Sequence, residues 1–286
     1  MQTKELRTAD GESLSVREWL ATPAAPLGLV HITHGLGEHA GRYAHVARRL
    51  NALGFAVRAH DHFGHGLSSG ARGGLPHDLR LVEDLALLID DGRASFPGVP
   101  LVLLGHSMGG LVAASFVARG VRPVDGLVLS SPALSPTLSA AQKGLIAVLS
   151  RVAPGLRVGN GLDAKNLSHD PDVAPAYLGD PLNHDRIGAR LARFLADEGE
   201  RVMAMAPRWP VPTLLVYAGA DKLVRPEGSR AFAAAAAPSG HVRAMAFEQH
   251  FHELFNELDA NPVFEALETW LAERFGFDGQ RAAALA

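Results

Sequence analysis

Short, nearly continuous apolar runs alternate along this chain with stretches whose apolar residues recur at helical spacing. The runs are Gly28–Thr33, Phe55–Ala59, Leu101–Leu104 and Gly126–Ser130. Each has the length of a strand and is too short for a buried helix. Between them, Tyr43, Val46, Ala47, Leu50 and Leu53 share one helical face, and Gly54 ends that helix. Leu81, Leu85, Leu88 and Ile89 do the same within Pro76–Phe96, and Ser107–Arg119 reads as a third helix. Strands apolar on both faces, alternating with amphipathic helices, predict a parallel sheet covered on both sides.

The alternation stops after Ser130. From Ser131 to about Trp209, helical and irregular stretches carry no strand pattern, and Pro132, Pro136, Pro154, Gly155, Gly159 and Gly161 interrupt them. It resumes with a strand at Thr213–Ala218, a helix near Pro226–Ala237 and a strand at His241–Phe247. A last helix should start with Asn261 as N-cap and Pro262 in the first turn. It buries Val263, Phe264, Leu267, Trp270 and Leu271 on one face. The expected organisation is a core in two parts, 1–130 and 210–286, with a largely helical cap inserted at 131–209. The cap should lie over the carboxyl ends of the strands, where such sheets bind ligands. Gly279–Ala286 reads as a frayed end.

Composition narrows the class. At 286 residues, 47% hydrophobic and 20% charged, the chain suits one large globular core. A net charge of −3 implies no broad basic face for nucleic acid. With no cysteine, disulfides, thiolate metal sites and a thiol nucleophile are excluded. The polar start Met1–Thr8 lacks a signal-peptide apolar core, so cytoplasmic residence is expected.

Gly105-His106-Ser107-Met108-Gly109 follows the apolar run 101–104 and precedes a helix, the setting of a nucleophilic serine on a sharp strand-to-helix turn. A serine hydroxyl needs a base, and the base needs an orienting carboxylate. Asp221 follows the strand Thr213–Ala218, and His252 follows His241–Phe247, so both fall at strand ends and in the order serine, acid, histidine. His250 competes with His252; the lead-in to the final helix favours His252. The backbone N–H of Met108 is one candidate oxyanion donor. That of Leu36, in the glycine-rich loop His34–His39, is the other.

His34–Tyr43 resembles the oxyanion loop of the monoacylglycerol lipase and lysophospholipase family of α/β-hydrolases. Asp61–Ser68 resembles that family's Asp-x-x-Gly-His-Gly-x-Ser segment, Gly105–Gly110 its nucleophile turn, and His252–Glu257 its histidine segment. Leu167–Pro171 and Asp180–Leu182 are similar to part of its cap. The resemblance implies an α/β-hydrolase fold and a serine hydrolase of single-chain lipid esters, monoacylglycerol above all. Lysophospholipase or general carboxylesterase activity is the alternative. It implies Ser107, Asp221 and His252 as the triad, Leu36 and Met108 as oxyanion donors, and no cofactor or metal.

Other readings carry less. His60-Asp61-His62 with His65 has metal-binding residue types, but Gly64 and Gly66 mark a tight structural loop, with Asp61 and His65 holding it by hydrogen bonds. Ser107 argues against a dehalogenase or epoxide hydrolase, which need a carboxylate nucleophile. An aminopeptidase of related fold needs an acidic pocket for the substrate amine, for which Asp163, Asp170 and Asp172 are candidates. Leu145–Leu149, flanked by Lys143 and Arg151, either packs against the core, the preferred reading, or rests on a lipid surface. Oligomeric state is left open.

Overall fold

The computed structural model describes residues 1–20, 26–135 and 139–276, so the frayed end expected at Gly279–Ala286 lies outside the described residues. The first half runs β1 (Gln2–Arg7), β2 (Ser13–Trp19), β3 (Leu29–Thr33), α1 (Ala44–Ala52), β4 (Ala56–His60), α2 (Arg80–Ser95), β5 (Leu101–His106), α3 (Ser107–Ala118) and β6 (Gly126–Ser130). Between β6 and β9 lie α4 (Ala140–Val152), β7 (Arg157–Gly159), α5 (Val173–Gly179), β8 (Arg186–Gly188) and α6 (Ala189–Met205). The second half is β9 (Thr213–Ala218), α7 (Pro226–Ala236), β10 (Val242–Phe247) and α8 (Asn261–Phe275).

Among the described residues, eight strands form one sheet in the order β1-β2-β4-β3-β5-β6-β9-β10. The six from β4 to β10 are parallel, and β2 and β1 extend the sheet antiparallel. Every residue of β3, β4, β5, β6 and β9 is buried, as a sheet covered on both faces requires. Side chains alternate between two cores. Leu101 and Leu103 pack with Leu85, Leu111, Phe116 and Phe232 from α2, α3 and α7. Val102 and Leu104 pack with Leu50, Leu267 and Trp270 from α1 and α8 on the opposite face.

Three features depart from the pattern along the chain. β1 and β2 were not expected. β1 is an edge strand exposed along most of its length, with charges at Lys4, Glu5 and Arg7, so it carries no apolar run. The stretch 131–209, in which the sequence carries no strand pattern, contains the ribbon β7–β8, with Arg157 opposite Gly188 and Gly159 opposite Arg186. Three-residue strands with β7 fully exposed leave no hydrophobic signature. The N-cap of α8 is Ala260, one residue before the expected Asn261, whose side chain instead accepts from Arg49 at 3.4 Å.

The stretch between β6 and β9 touches the loops that leave the carboxyl edge of the sheet. Tyr177 Oη and the His184 N–H both donate to the Gly37 carbonyl, at 3.1 and 2.9 Å. Asp180 Oδ2 lies 2.9 Å from His39 Nε2. On the other side, the Glu253 N–H donates to Leu167 O at 2.8 Å and Ser168 Oγ donates to Asn256 O at 2.8 Å. Among the described residues no helix is long and apolar enough to cross a membrane.

Candidate active site

Strand β5 passes directly into α3 at Ser107, whose φ of +55° lies in the left-handed region. Among the described residues only Ser107 and Ser131 combine a side chain with such a backbone. A strained conformation of this kind persists only where the surroundings enforce it. They do so through close packing. A β-carbon on Gly105 would stand 2.5 Å from Gly109 O, and one on Gly109 would stand 2.2 Å from Thr33 O. Both obstacles are backbone, so neither glycine can be replaced without moving a strand or helix.

The loop after β3 comes close to this turn, since a β-carbon on Gly35 would lie 3.3 Å from Ser107 Cβ. Leu36, Ser107 and His252 line one pocket, with Leu162, Leu167 and Leu223 supplying apolar wall. Met108 is the second residue of α3, so its N–H belongs to the first turn, where amides have no partner within the helix.

His252 Nδ1 lies 2.6 Å from Asp221 Oδ2. The other oxygen, Oδ1, accepts the N–H groups of Leu223 and Val224 at 2.8 and 2.9 Å, which fixes the carboxylate plane. His250 is not in this arrangement: its Nε2 engages the Asp259 carbonyl at 2.9 Å. Burial opposes the charged form of His252, but the Asp221 carboxylate outweighs it, so the imidazole pKa sits above its ordinary value. The neighbouring His106 ring, 4.6 Å away between centroids, behaves oppositely. Burial, reinforced by His252, pushes His106 down to about 3, so it stays neutral.

The segment 61–68 is a hydrogen-bonded loop. Asp61 Oδ1 accepts from Arg17 and from the Ala40 N–H, both at 2.8 Å, and Oδ2 accepts from the Leu67 N–H at 2.8 Å. His60 and His62 bond to one another at 3.1 Å, and His65 Nδ1 lies 3.1 Å from Phe63 O. Among the described residues no group of three His, Cys, Asp or Glu side chains is placed to hold a metal ion.

Glu38, Arg42 and Glu253 stand in the quoted motifs but drew no role from the sequence. They meet beside the pocket as a buried ion network. The spacing of Glu38 and Arg42 hints at one pair, whereas the reach from Arg42 to Glu253 spans 211 positions and leaves no local signal.

A mostly parallel sheet with a serine on a strained strand-to-helix turn, and with acid and histidine on later strand-end loops, defines an α/β-hydrolase. Residues 24–259 match the family model described as serine aminopeptidase, S33. The chain is 38% identical to a monoacylglycerol lipase of Mycolicibacterium smegmatis over 86% of its own length and 88% of the relative's. It is 35% identical to the monoglyceride lipase of Homo sapiens, covering 94% and 90%. The crystal structure of the Paleococcus ferrophilus monoacylglycerol lipase superposes with a TM-score of 0.82 at 36% identity, covering 91% of this chain and 99% of that one. The chain therefore belongs to the serine aminopeptidase S33 family of α/β-hydrolases, in the branch that contains the monoacylglycerol lipases.

Proposed function

We propose that this protein hydrolyses carboxylic esters of single-chain lipids, monoacylglycerol to fatty acid and glycerol first among them. The mechanism is acyl transfer through Ser107. His252 Nε2 takes the Ser107 proton as Oγ attacks the ester carbonyl. Asp221 holds the proton of His252 on Nδ1 and stabilises the imidazolium. The N–H groups of Leu36 and Met108 receive the developing oxyanion. His252 then protonates the leaving alcohol, and water releases the fatty acid by the reverse sequence. The observation that carries this reading is the 2.6 Å contact of Asp221 with His252, which lines the same pocket as Ser107.

Leu36, Leu162, Leu167 and Leu223 offer an acyl chain an apolar wall. A peptidase reading needs a carboxylate free to receive the substrate amine. Among the described residues, the carboxylates lining this pocket are Glu38 and Glu253, and both are committed to Arg42. Residues 131–209 act as the cap in this proposal, and their contacts with Gly37, His39 and Glu253 support that role. Leu145, Val148 and Val152 lie on one face of α4 at 59, 54 and 73% exposure and suit transient contact with a membrane or micelle. Ile146 and Leu149 turn partly inward, so packing and surface contact divide the helix between them. Cytoplasmic residence completes the proposal, and cell fractionation tests it.

The test is hydrolysis of a monoacylglycerol, a lysophosphatidylcholine and an aminoacyl-nitroanilide side by side, with Ser107→Ala as control. Ser107-dependent cleavage of the first is expected. Preference for the second makes the enzyme a lysophospholipase, and cleavage of the third alone overturns the lipid reading.

A further inference from the structure

The oxyanion loop and the histidine loop come from opposite ends of the chain, yet catalysis needs them fixed relative to each other to within a fraction of an ångström. Glu38 organises the first. Its Oε1 accepts from the Gly35 N–H at 2.6 Å and from Tyr43 Oη at 2.7 Å. Its Oε2 accepts from Arg42 at 2.6 Å. The same guanidinium then reaches the second loop. Arg42 donates to both oxygens of Glu253, at 2.5 and 2.7 Å, in a planar two-bond pairing. Glu253 follows His252 in the chain, and its Oε2 also accepts from Asn256 Nδ2 at 2.8 Å. The two carboxylates are 3 and 5% exposed.

We propose that Arg42 and Glu253 are positioning residues that brace the oxyanion loop against the His252 loop and set the charge surrounding the base. The inference rests on the roles given above to Ser107 and His252. Stability alone does not account for the network, because buried ion pairs gain little over apolar packing of equal volume. What the guanidinium fork supplies is a fixed direction at both ends, which a flexible ammonium would not. It also neutralises one of two carboxylates and leaves a net negative charge beside the imidazolium that forms during attack. Burial alone would push Glu253 up; Arg42 outweighs it and holds the carboxyl at about 2, so it stays ionised. The titratable and charged groups around His252 are Asp221, His106, Glu253, Glu38 and Arg42.

Glu253→Gln keeps the shape and one acceptor while removing the charge, and Arg42→Lys keeps the charge while removing the fork. Steady-state hydrolysis of a monoacylglycerol across the acid limb, with Tm recorded beside it, tests both. Expected for each variant is a kcat lower by about tenfold with KM within about twofold. Glu253→Gln should also move the acid limb of kcat/KM to lower pH, because a carboxylate that favours imidazolium is gone. A structural role would lower Tm and leave the limb in place. An unmoved limb in Glu253→Gln, or wild-type kcat in a folded variant, overturns the assignment. Ser107→Ala separates the two levels. Hydrolysis surviving that change sinks the proposed function itself, whereas Ser107-dependent turnover with a wild-type-like Glu253→Gln sinks only the brace.

Discussion

Asp221→Asn tests the histidine geometry at a single atom. The carboxylate is oriented by two backbone donors, because Oδ1 accepts from Leu223 and Val224 while Oδ2 faces His252. An asparagine placed here keeps those two bonds only if its carbonyl oxygen takes the Oδ1 position. Its NH2 group then faces His252 Nδ1. The opposite flip sets NH2 against two N–H groups and forfeits both bonds, at about 1–3 kcal/mol for each donor left unpaired. The favoured rotamer therefore donates to Nδ1, and the imidazole must carry its proton on Nε2, where Ser107 needs a base. Loss of the correct tautomer lowers kcat by on the order of 10⁴, or about 5 kcal/mol of barrier. Because the backbone bonds survive, Tm should change little. The assay is kcat on a short-chain ester or monoacylglycerol, with thermal unfolding of the same preparation. A loss below about 100-fold in a folded Asp221→Asn protein would mean that Asp221 does not set the His252 tautomer.

Three further outcomes follow from the same geometry. Gly109→Ala sets a β-carbon 2.2 Å from Thr33 O and 2.4 Å from His34 O, and backbone cannot yield as a side chain can. The cost should reach about 3 kcal/mol or more, a Tm drop of roughly 6–12 °C, and a Tm within about 2 °C of wild type contradicts it. With His252 as the proposed base, which must be neutral to act, kcat/KM should fall as pH drops through its folded pKa. That pKa is raised by Asp221 against the effect of burial, so the acid limb should lie above the ordinary imidazole value of about 6.5; a limb near 5 would contradict this. Replacing Leu145, Val148 and Val152 together by serine should weaken sedimentation with phosphatidylcholine vesicles several-fold while leaving hydrolysis of a water-soluble ester unchanged. Unaltered vesicle binding removes α4 from the surface contact.

Much of this architecture is legible in the chain because burial on both faces of a parallel sheet leaves an unbroken apolar run. That holds for β3, β5, β6 and β9, and the glycine-flanked Ser107 follows from the same logic. Features exposed to water left no such trace. β1 is a charged edge, and β7 and β8 have three residues each, too few for a period. The choice between His250 and His252 illustrates a second limit. Both sit in the same loop at alternate positions, and only the path of the backbone turns one toward Asp221 and the other toward Asp259. The Arg42 network marks a third. Its residue types were visible, but the pairing of Arg42 with Glu253 joins positions 211 apart, and no local pattern encodes it.

Stoichiometric labelling asks whether Ser107 is the nucleophile. The protein would be treated with a fluorophosphonate, its intact mass followed against residual ester hydrolysis, and the modified peptide mapped. Expected is one adduct per chain, on Ser107, with activity falling in proportion to labelling and no labelling of Ser107→Ala. Full labelling at another residue with activity lost, or activity retained with Ser107 fully modified, would contradict it.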